Sequence, residues 1–300
     1  MIYASINIQS ENKKKEEIKM SGIFTMITIF AGVIVLLLLL NLVMIKPNKK
    51  RDVSKFFGKR YAHRGLHGSQ IPENSKQAFT LAREQGYGVE LDVQMTKDGH
   101  LVVFHDGTLK RMCGIEGKLR DFDYHELQKL SLKGTEERIP LFEEVLELLG
   151  ETDLVCEIKS DNGIRNYELC RRVYKALQKY QGNYCIESFS PFLVRWWKLN
   201  HPEVIRGQLS CNMKYEPGQN AFMNFLLTNL YGNFYSKPDF IAYNFKDAKK
   251  AWGYRLCRRL YHPFCIAWTP RGKDEIEIAK KDFETIIFEK EPMHLDPTFL

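Results

Sequence analysis

Cysteine pairs at C-x-x-C spacing are missing from the sequence. Seven cysteines occur, an odd number, and no two of them have this spacing. There is also no His-rich ligand set, so a zinc hydrolase is disfavoured. Cys156 and Cys265 lie inside apolar runs. This distribution favours buried free thiols in a reducing compartment, which indicates the cytoplasm.

The sequence also lacks a tract in which basic and aromatic residues interleave, as they would in a nucleic-acid groove. Its formal net charge of +7 is spread along 300 residues. We therefore predict no nucleic-acid partner. A basic face close to anionic lipid headgroups is the better explanation of the charge.

Charge is absent from residues 23–45, which read IFTMITIFAGVIVLLLLLNLVMI. A helix of about 20 apolar residues crosses a bilayer. A secretory signal usually has an apolar core of about 7–15 residues and then a small-x-small cleavage site. Here the run is longer and is followed by KPNKKR, without such a site. We predict a tail at 1–22, an uncleaved single-pass transmembrane helix at 23–45, a basic linker at 46–57 and one domain at 58–300.

The side of the membrane depends on the basic residues that flank this helix. The two flanks are nearly balanced, because lysines at 13–15 and 19 oppose those at 46–55. The peptide KEEIKM could be encoded by a purine-rich ribosome-binding site, in which case translation starts at Met20 and residues 1–19 do not exist. The domain would then face the cytoplasm. A genuine charged tail is the alternative, and it stays open.

Short apolar segments alternate with amphipathic helical segments after residue 57, which indicates an α/β fold with a parallel sheet. Eight such units in about 240 residues are typical of a TIM (β/α)8 barrel. Residues 107–140 form a long excursion and predict an inserted segment. Residues 221–231, AFMNFLLTNLY, are apolar nearly all round. A buried packing helix is the simpler interpretation of them, and a lid or membrane-contacting element is the alternative.

Ionisable residues cluster at the ends of the predicted strands. Glu90 and Asp92 are two residues apart on one strand and point the same way, as do Glu157 and Lys159 on another. Buried carboxylates are costly unless they are paired or bind a metal, whereas at the mouth of a barrel they form a site. Three carboxylates without cysteine suit Mg²⁺ or Ca²⁺. Taken alone, each of these two pairs is common at the salt-bridged edge of a sheet. The order of all the ionisable residues along the chain is more informative.

That order resembles one family. HRG followed by PENS, then ELDVQMTKDGHLVVFHD, then EIK and a late AWT are similar to the glycerophosphodiester phosphodiesterases, over about Lys59 to Pro292. The resemblance implies a TIM barrel that hydrolyses glycerophosphodiesters to glycerol 3-phosphate and an alcohol with a divalent metal. It makes His63 and His105 the acid–base pair. It makes Glu90, Asp92 and Glu157 the metal ligands, and Arg64, Lys159, Glu73 and Trp268 the substrate contacts.

The last strand departs from the family pattern, because FEKEP stands where an Asp-containing turn is usual. We expect this strand end to be remote from the metal ligands, and His67 to be an extra histidine near the mouth. The anchor and the apolar segment 219–236 also allow a lysophospholipase D-type reaction on an acylated substrate. A phospholipase C-type reaction fits the pattern less well. A non-catalytic membrane-tethered binding module would have lost histidines or carboxylates, and this chain keeps them.

Overall fold

The structure, a computed structural model, describes residues 2–48, 51–160, 166–215 and 220–289. It divides into two compact units, Met1–Met44 and Ile45–Leu300. Helix α1 (Ile2–Ile45) contains a 28-residue stretch, Ile18–Ile45, that is long and apolar enough to cross a membrane, although a signal sequence has the same properties. Lys290, Glu291 and Pro292 of the unusual last-strand end lie outside the described residues.

Eight parallel strands of the second unit close into a barrel, since β1 pairs with both β2 and the last strand, β9. A ninth strand, β3, is antiparallel to β2 and extends it as a hairpin. This confirms the predicted TIM (β/α)8 barrel. The strands are β1 (Arg60–His63), β2 (Gly88–Met95), β3 (Leu101–Val103), β4 (Leu154–Ile158), β5 (Tyr184–Ser188), β6 (Arg206–Ser210), β7 (Phe240–Asn244), β8 (Phe264–Arg271) and β9 (Thr285–Glu289).

Helices connect the strands and cover the outside of the barrel. Helix α2 shows why they form where they do: the Ser75 side chain caps its first turn by accepting from the Ala78 amide, and the face carrying Phe79 is buried. The helices are α2 (Lys76–Glu84), α3 (Lys110–Cys113), α4 (Tyr124–Leu127), α5 (Phe142–Leu149), α6 (Tyr167–Leu177), α7 (Pro191–Asn200), α8 (Ala221–Thr228), α9 (Asn233–Ser236), α10 (Phe245–Ala248), α11 (Trp252–Tyr261) and α12 (Gly272–Ala279). The pattern of the sequence did not predict α11.

The barrel interior changes character along its axis. Side chains of the lower layer are apolar and pack together, for example Tyr61, Val155 and Cys185. Two residues further along the same strands, the period-2 alternation points ionisable side chains inward, among them His63 and Glu157. The apolar layer therefore supports a charged layer at the carboxyl ends of the strands.

The excursion at 107–140 has a small apolar core of its own, which includes Leu109, Met112 and Leu127. Phe104, at the end of the β3 hairpin, belongs to the same cluster. This packing fixes α3 beside the barrel mouth. Helix α8, by contrast, has no buried residue, so the interpretation of this segment as a buried packing helix is wrong.

Candidate active site

Three of the predicted residues form one acidic cluster. Oxygen atoms of Glu90, Asp92 and Glu157 lie within 4.8 Å of one another, and all three side chains are buried. Strand register explains the meeting, because Asp92 on β2 is paired with Glu157 on β4. Glu187 on β5 stands opposite Glu157 and adds a fourth buried carboxylate. The alternation of β5 predicts that Glu187 faces inward, but sequence reasoning had not assigned it a role.

Two predicted cations lie against these carboxylates. Lys159 Nζ is 2.9 Å from Asp92 Oδ1 and donates to Glu157 Oε1 at 3.0 Å. Arg64 Nε lies 3.3 Å from Asp92 Oδ2, and the Arg64 backbone amide donates to Glu90 Oε2 at 3.0 Å. Asn74 Nδ2 donates to Asp92 Oδ2 at 2.7 Å. Arg64 and Lys159 therefore offset part, but not all, of the negative charge.

The pKa values of the clustered carboxylates reflect the negative charge that Arg64 and Lys159 leave unbalanced. Burial and the neighbouring carboxylates raise the pKa of Glu90 and of Glu187 well above their usual range. Burial also opposes ionisation of Asp92, but Lys159, His105 and Arg64 hold its pKa well below the usual value. Glu187 Oε2 is buried without a hydrogen-bond partner among the described residues. Hard oxygen ligands with uncompensated charge fit a divalent cation such as Mg²⁺ or Ca²⁺.

His63 is close to Glu90, with Nε2 at 3.9 Å from Oε2, and its Nδ1 is 3.6 Å from Glu289 Oε1. Burial lowers the pKa of His63 to about 4, so its imidazole is neutral at pH 7. His67 Nε2 lies 3.3 Å from the same Glu289 oxygen. Glu289, at the end of β9, therefore contacts a predicted catalytic histidine, because closure of the barrel places β9 beside β1. The remoteness of this strand end from the metal ligands stays a prediction.

His105 reaches the cluster from the end of the β3 hairpin. Its Nδ1 is 2.7 Å from Asp106 Oδ1, and about one third of its side chain is exposed. A carboxylate in this position holds the imidazole ring in a fixed orientation. His105 acts electrostatically on Asp92 and Glu157, which places it close to the carboxylate cluster.

The loop after β1 holds an unusual backbone conformation. Arg64 and Asn74 both have positive φ angles, 53° and 55°, which cost energy in residues with a side chain. Gly65 follows at φ 79°, and a Cβ there would come within 2.9 Å of Ala78. This close packing on α2 directs the Arg64 guanidinium and the Asn74 amide towards Asp92.

Glu73, predicted as a substrate contact, is paired with two arginines. It accepts from Arg64 Nη1 at 2.6 Å and from both Nη atoms of Arg111 at 2.7 and 2.8 Å. Burial opposes its ionisation, but the two arginines lower the pKa of Glu73 to about 2. Arg111 also donates to Asp106 Oδ2 and Oδ1, at 2.7 and 2.9 Å. One guanidinium from the excursion thus connects the residues that hold Arg64 and His105.

Trp268, within β8, forms an aromatic wall with Phe189, which follows β5. Their rings meet edge to face at 5.6 Å between centroids. The Trp268 Nε1–H is buried and has no acceptor among the described residues. The structure therefore brings the predicted His63, Arg64, Glu73, Glu90, Asp92, His105, Glu157, Lys159 and Trp268 to one end of the barrel.

Comparison with known proteins matches residues 63–191 to the model of the Glycerophosphoryl diester phosphodiesterase family. A glycerophosphodiester phosphodiesterase of Caldanaerobacter subterraneus subsp. tengcongensis is 40% identical over 158 residues, which are 49% of this chain and 65% of the relative. A lysophospholipase D GDPD1 of Rattus norvegicus is 33% identical over 145 residues, which are 44% of this chain and 45% of the relative. The chain thus spans less than two thirds of these curated relatives.

Solved structures share the fold. A phosphodiesterase of Oleispira antarctica, solved in complex with the product sn-glycerol-3-phosphate, superposes with a TM-score of 0.62 at 22% identity, over 78% of this chain and 94% of that one. A structure from Galdieria sulphuraria gives 0.61 at 20% identity, over 77% and 93%. The matched segment 63–191 contains both histidines and all three clustered carboxylates. Over residues 63–191 the chain therefore matches the glycerophosphoryl diester phosphodiesterase family, and its barrel has the fold of the solved phosphodiesterases.

Proposed function

We propose that the barrel hydrolyses glycerophosphodiesters to glycerol 3-phosphate and an alcohol. The observation that carries the proposal is the convergence of three carboxylates, two cations and two histidines at one barrel mouth. Hydrolysis of a phosphodiester anion requires charge to be neutralised on its non-bridging oxygens. Arg64 binds them through a planar fork, and Lys159 binds them as a point charge.

Glu90, Asp92 and Glu157 are the residues that would hold a divalent metal, either Mg²⁺ or Ca²⁺. When bound, such an ion supplies positive charge to the phosphoryl oxygens and lowers the barrier to attack. The role of the chain is to hold three hard oxygens together in a dry layer. Lys159 and Arg64 keep Asp92 ionised, so that a charged ligand is available at neutral pH.

The two histidines divide the proton transfers. His63 is neutral at pH 7 and accepts the proton of the attacking hydroxyl, for which the family resemblance suggests the substrate's own 2-hydroxyl. His105, oriented by Asp106, donates a proton to the departing alkoxide. The new P–O bond forms as the bond to the alcohol breaks, giving a cyclic phosphate that water then opens. Trp268 forms the wall against the glycerol moiety.

The test measures glycerol 3-phosphate release from glycerophosphoethanolamine by the full chain in detergent. We expect release that a chelator abolishes and that either Mg²⁺ or Ca²⁺ restores. Release of glycerol 3-phosphate that persists in the presence of the chelator would contradict the proposed role of a metal ion. Absence of release from the folded, metal-supplied protein would contradict the proposed substrate class. Turnover of any diester would exclude the non-catalytic binding module.

A lysophospholipase D-type reaction is the second candidate, and the exposure of α8 is the observation that favours it. Phe222 and Phe225 leave an apolar surface on the connection between β6 and β7, at the mouth of the barrel. A relative named as a lysophospholipase D supports the same substrate class. Release of lysophosphatidic acid from a lysophospholipid would establish this activity, and failure on every acylated substrate would exclude it.

We also propose that Ile18–Ile45 anchors the protein in a membrane as a single span, with the barrel in the cytoplasm. The length and mean hydropathy of the stretch, 2.9, support a span. The free cysteines support a reducing compartment. Retention in the membrane after alkaline extraction would support the anchor, and digestion by protease added outside intact cells would contradict the cytoplasmic orientation. Mass spectrometry of the native N-terminus tests the start at Met20.

A further inference from the structure

The connection between β6 and β7 carries an exposed apolar surface. Phe222 and Phe225 of α8 are 68% and 48% exposed, and Phe234 of α9 is 53% exposed. Tyr231 links α8 to α11, because its ring contacts Phe225 at 5.9 Å and Trp252 at 6.2 Å. We refer to this surface as the apolar face; its residues are Phe222, Met223, Phe225, Tyr231, Phe234, Tyr235 and Trp252. A contiguous patch of this kind on a soluble domain is typical of an interaction site.

Cations surround the apolar face. Lys237 Nζ lies 5.6 Å from the Phe234 ring, and the Arg195 guanidinium lies 4.3 Å from the Tyr235 ring. Burial together with Lys198 and Lys46 lowers the pKa of Lys237, so these positive charges act on one another. Within the described residues, none of these four cations forms an ion pair with a carboxylate. Asp239 acts on Lys198, but it is paired with Arg206. The rim therefore carries an excess of positive charge, and its natural complement is an anionic surface.

The barrel unit begins beside this surface, at Ile45. Ile45 is buried in the barrel unit, and its carbonyl accepts from Asn233 Nδ2 at 2.9 Å and from Cys257 Sγ at 3.3 Å. Asn233 is the first residue of α9. The backbone amide of Asn48 donates to the Pro238 carbonyl at 2.8 Å, which holds the residues after Ile45 close to the end of α9. The point at which the chain leaves the barrel is therefore held beside the apolar face.

The apolar face is also tied to the mouth of the barrel. Ser210 Oγ, at the end of β6, donates to the Leu227 carbonyl at 2.8 Å, and the Tyr243 hydroxyl on β7 donates to the Thr228 carbonyl at 2.8 Å. These bonds fasten the last turn of α8 to the carboxyl ends of two barrel strands. The clustered carboxylates lie at the same end of the barrel.

We propose that the apolar face and its basic rim dock on an anionic phospholipid bilayer, so that the mouth of the barrel receives acylated substrates from the membrane. The inference rests on the proposed membrane anchor and on the second candidate function. Two features select a bilayer as the occupant: the excess positive charge of the rim, and the hydrogen bond that attaches Ile45, the last residue of the membrane-length apolar stretch, to Asn233 of α9. Aromatic side chains beside lysines are suited to the headgroup region.

The test places a spin label at position 222 of the full chain, as Phe222→Cys in a Cys113→Ser background, in lipid nanodiscs. A label on exposed Lys175 of α6, as Lys175→Cys, is the matched control. In nanodiscs containing phosphatidylglycerol we expect the label at 222 to be reached by oxygen and shielded from a water-soluble nickel complex, with an accessibility ratio about tenfold above the control, because phenylalanine-sized apolar side chains partition strongly out of water. Nanodiscs of phosphatidylcholine alone should reduce the ratio.

Each other outcome overturns the proposal. A label at 222 that nickel reaches as readily as at 175 would show that the apolar face stays in water. Protection from both reagents, with twice the expected protein mass per nanodisc, would assign the face to a second copy of the chain. The readout does not depend on turnover. A failure of docking is therefore distinguished from a failure of the proposed hydrolysis, which the assay in detergent reports separately.

Discussion

Arg111 offers the sharpest test of how the site is held together. Its guanidinium donates to Glu73 and to Asp106, and these carboxylates in turn hold Arg64 and His105. Arg111→Met removes the fork and keeps much of the side-chain volume. Breaking a buried ion pair costs about 3–5 kcal/mol. The Arg111 side chain is 43% exposed, so screening by solvent reduces our expectation to about 2 kcal/mol of unfolding free energy.

The effect on catalysis should be larger in kcat than in KM. Arg111 acts through the carboxylates of Glu73 and Asp106. Its loss therefore allows the His105 ring and the Arg64 guanidinium to move. Displacements of about 1 Å in catalytic groups reduce turnover about 10²-fold. We expect kcat for glycerophosphoethanolamine to fall about 10–10²-fold, with KM changed about threefold or less. Arg111→Lys should recover little, because an ammonium cannot bind two carboxylates as a planar fork.

The matched control is Lys110→Met, which removes a neighbouring cation that pairs with the exposed Glu116. We expect its kinetics and urea unfolding to match the parent protein. If Arg111→Met leaves kcat within twofold of the parent while the protein stays folded, then the connection between Glu73 and Asp106 does not position the catalytic groups, and the reasoning is refuted.

Three further predictions concern the site itself. His105→Ala should lower turnover by about 10²–10⁴-fold if His105 is a general acid, and unchanged turnover would refute that role. Asp92→Asn should weaken Mg²⁺ or Ca²⁺ binding more than about tenfold in calorimetry, whereas exposed Asp121→Asn should not; equal affinities would exclude Asp92 as a ligand. The folded pKa of Glu73, about 2, lies below its ordinary value of 4.5. Its stabilisation is therefore complete above pH 4.5 and is lost as the pH falls towards 2. Between pH 6 and pH 3 the parent should lose about 2 kcal/mol more unfolding free energy than Glu73→Gln, and equal losses in urea unfolding would contradict this.

Much of the site follows from local pattern. A period of two residues requires Glu90 and Asp92 to share a face, and it requires the same of Glu157 and Lys159. Alternation of strands and helices then predicts a parallel barrel, in which the carboxyl ends of all strands meet. The cluster of carboxylates with Lys159 could therefore be predicted before any distance was known.

Other parts needed long-range geometry. Trp252–Tyr261 was not predicted as a helix, although Gly253, Tyr254 and Cys257 lie at helical spacing on its buried face. No side-chain cap marks its start at Ala251. Arg111 lies on an excursion whose return path is set by a separate apolar core, so no spacing rule connects it to Glu73. Glu289 meets His63 only because the last strand closes on the first.

Local pattern is enough to predict the strands, the direction in which their polar residues point and the chemistry that those residues can perform, because these properties depend on neighbours within a few positions along the chain. Three other features emerge only from the folded chain: Glu187 stands opposite Glu157, Arg111 joins Glu73 to Asp106, and α8 is exposed rather than buried. They depend on closure of the barrel and on contacts between distant segments. Hydrogen-bond register between strands distant in sequence fixes contacts that no local pattern encodes.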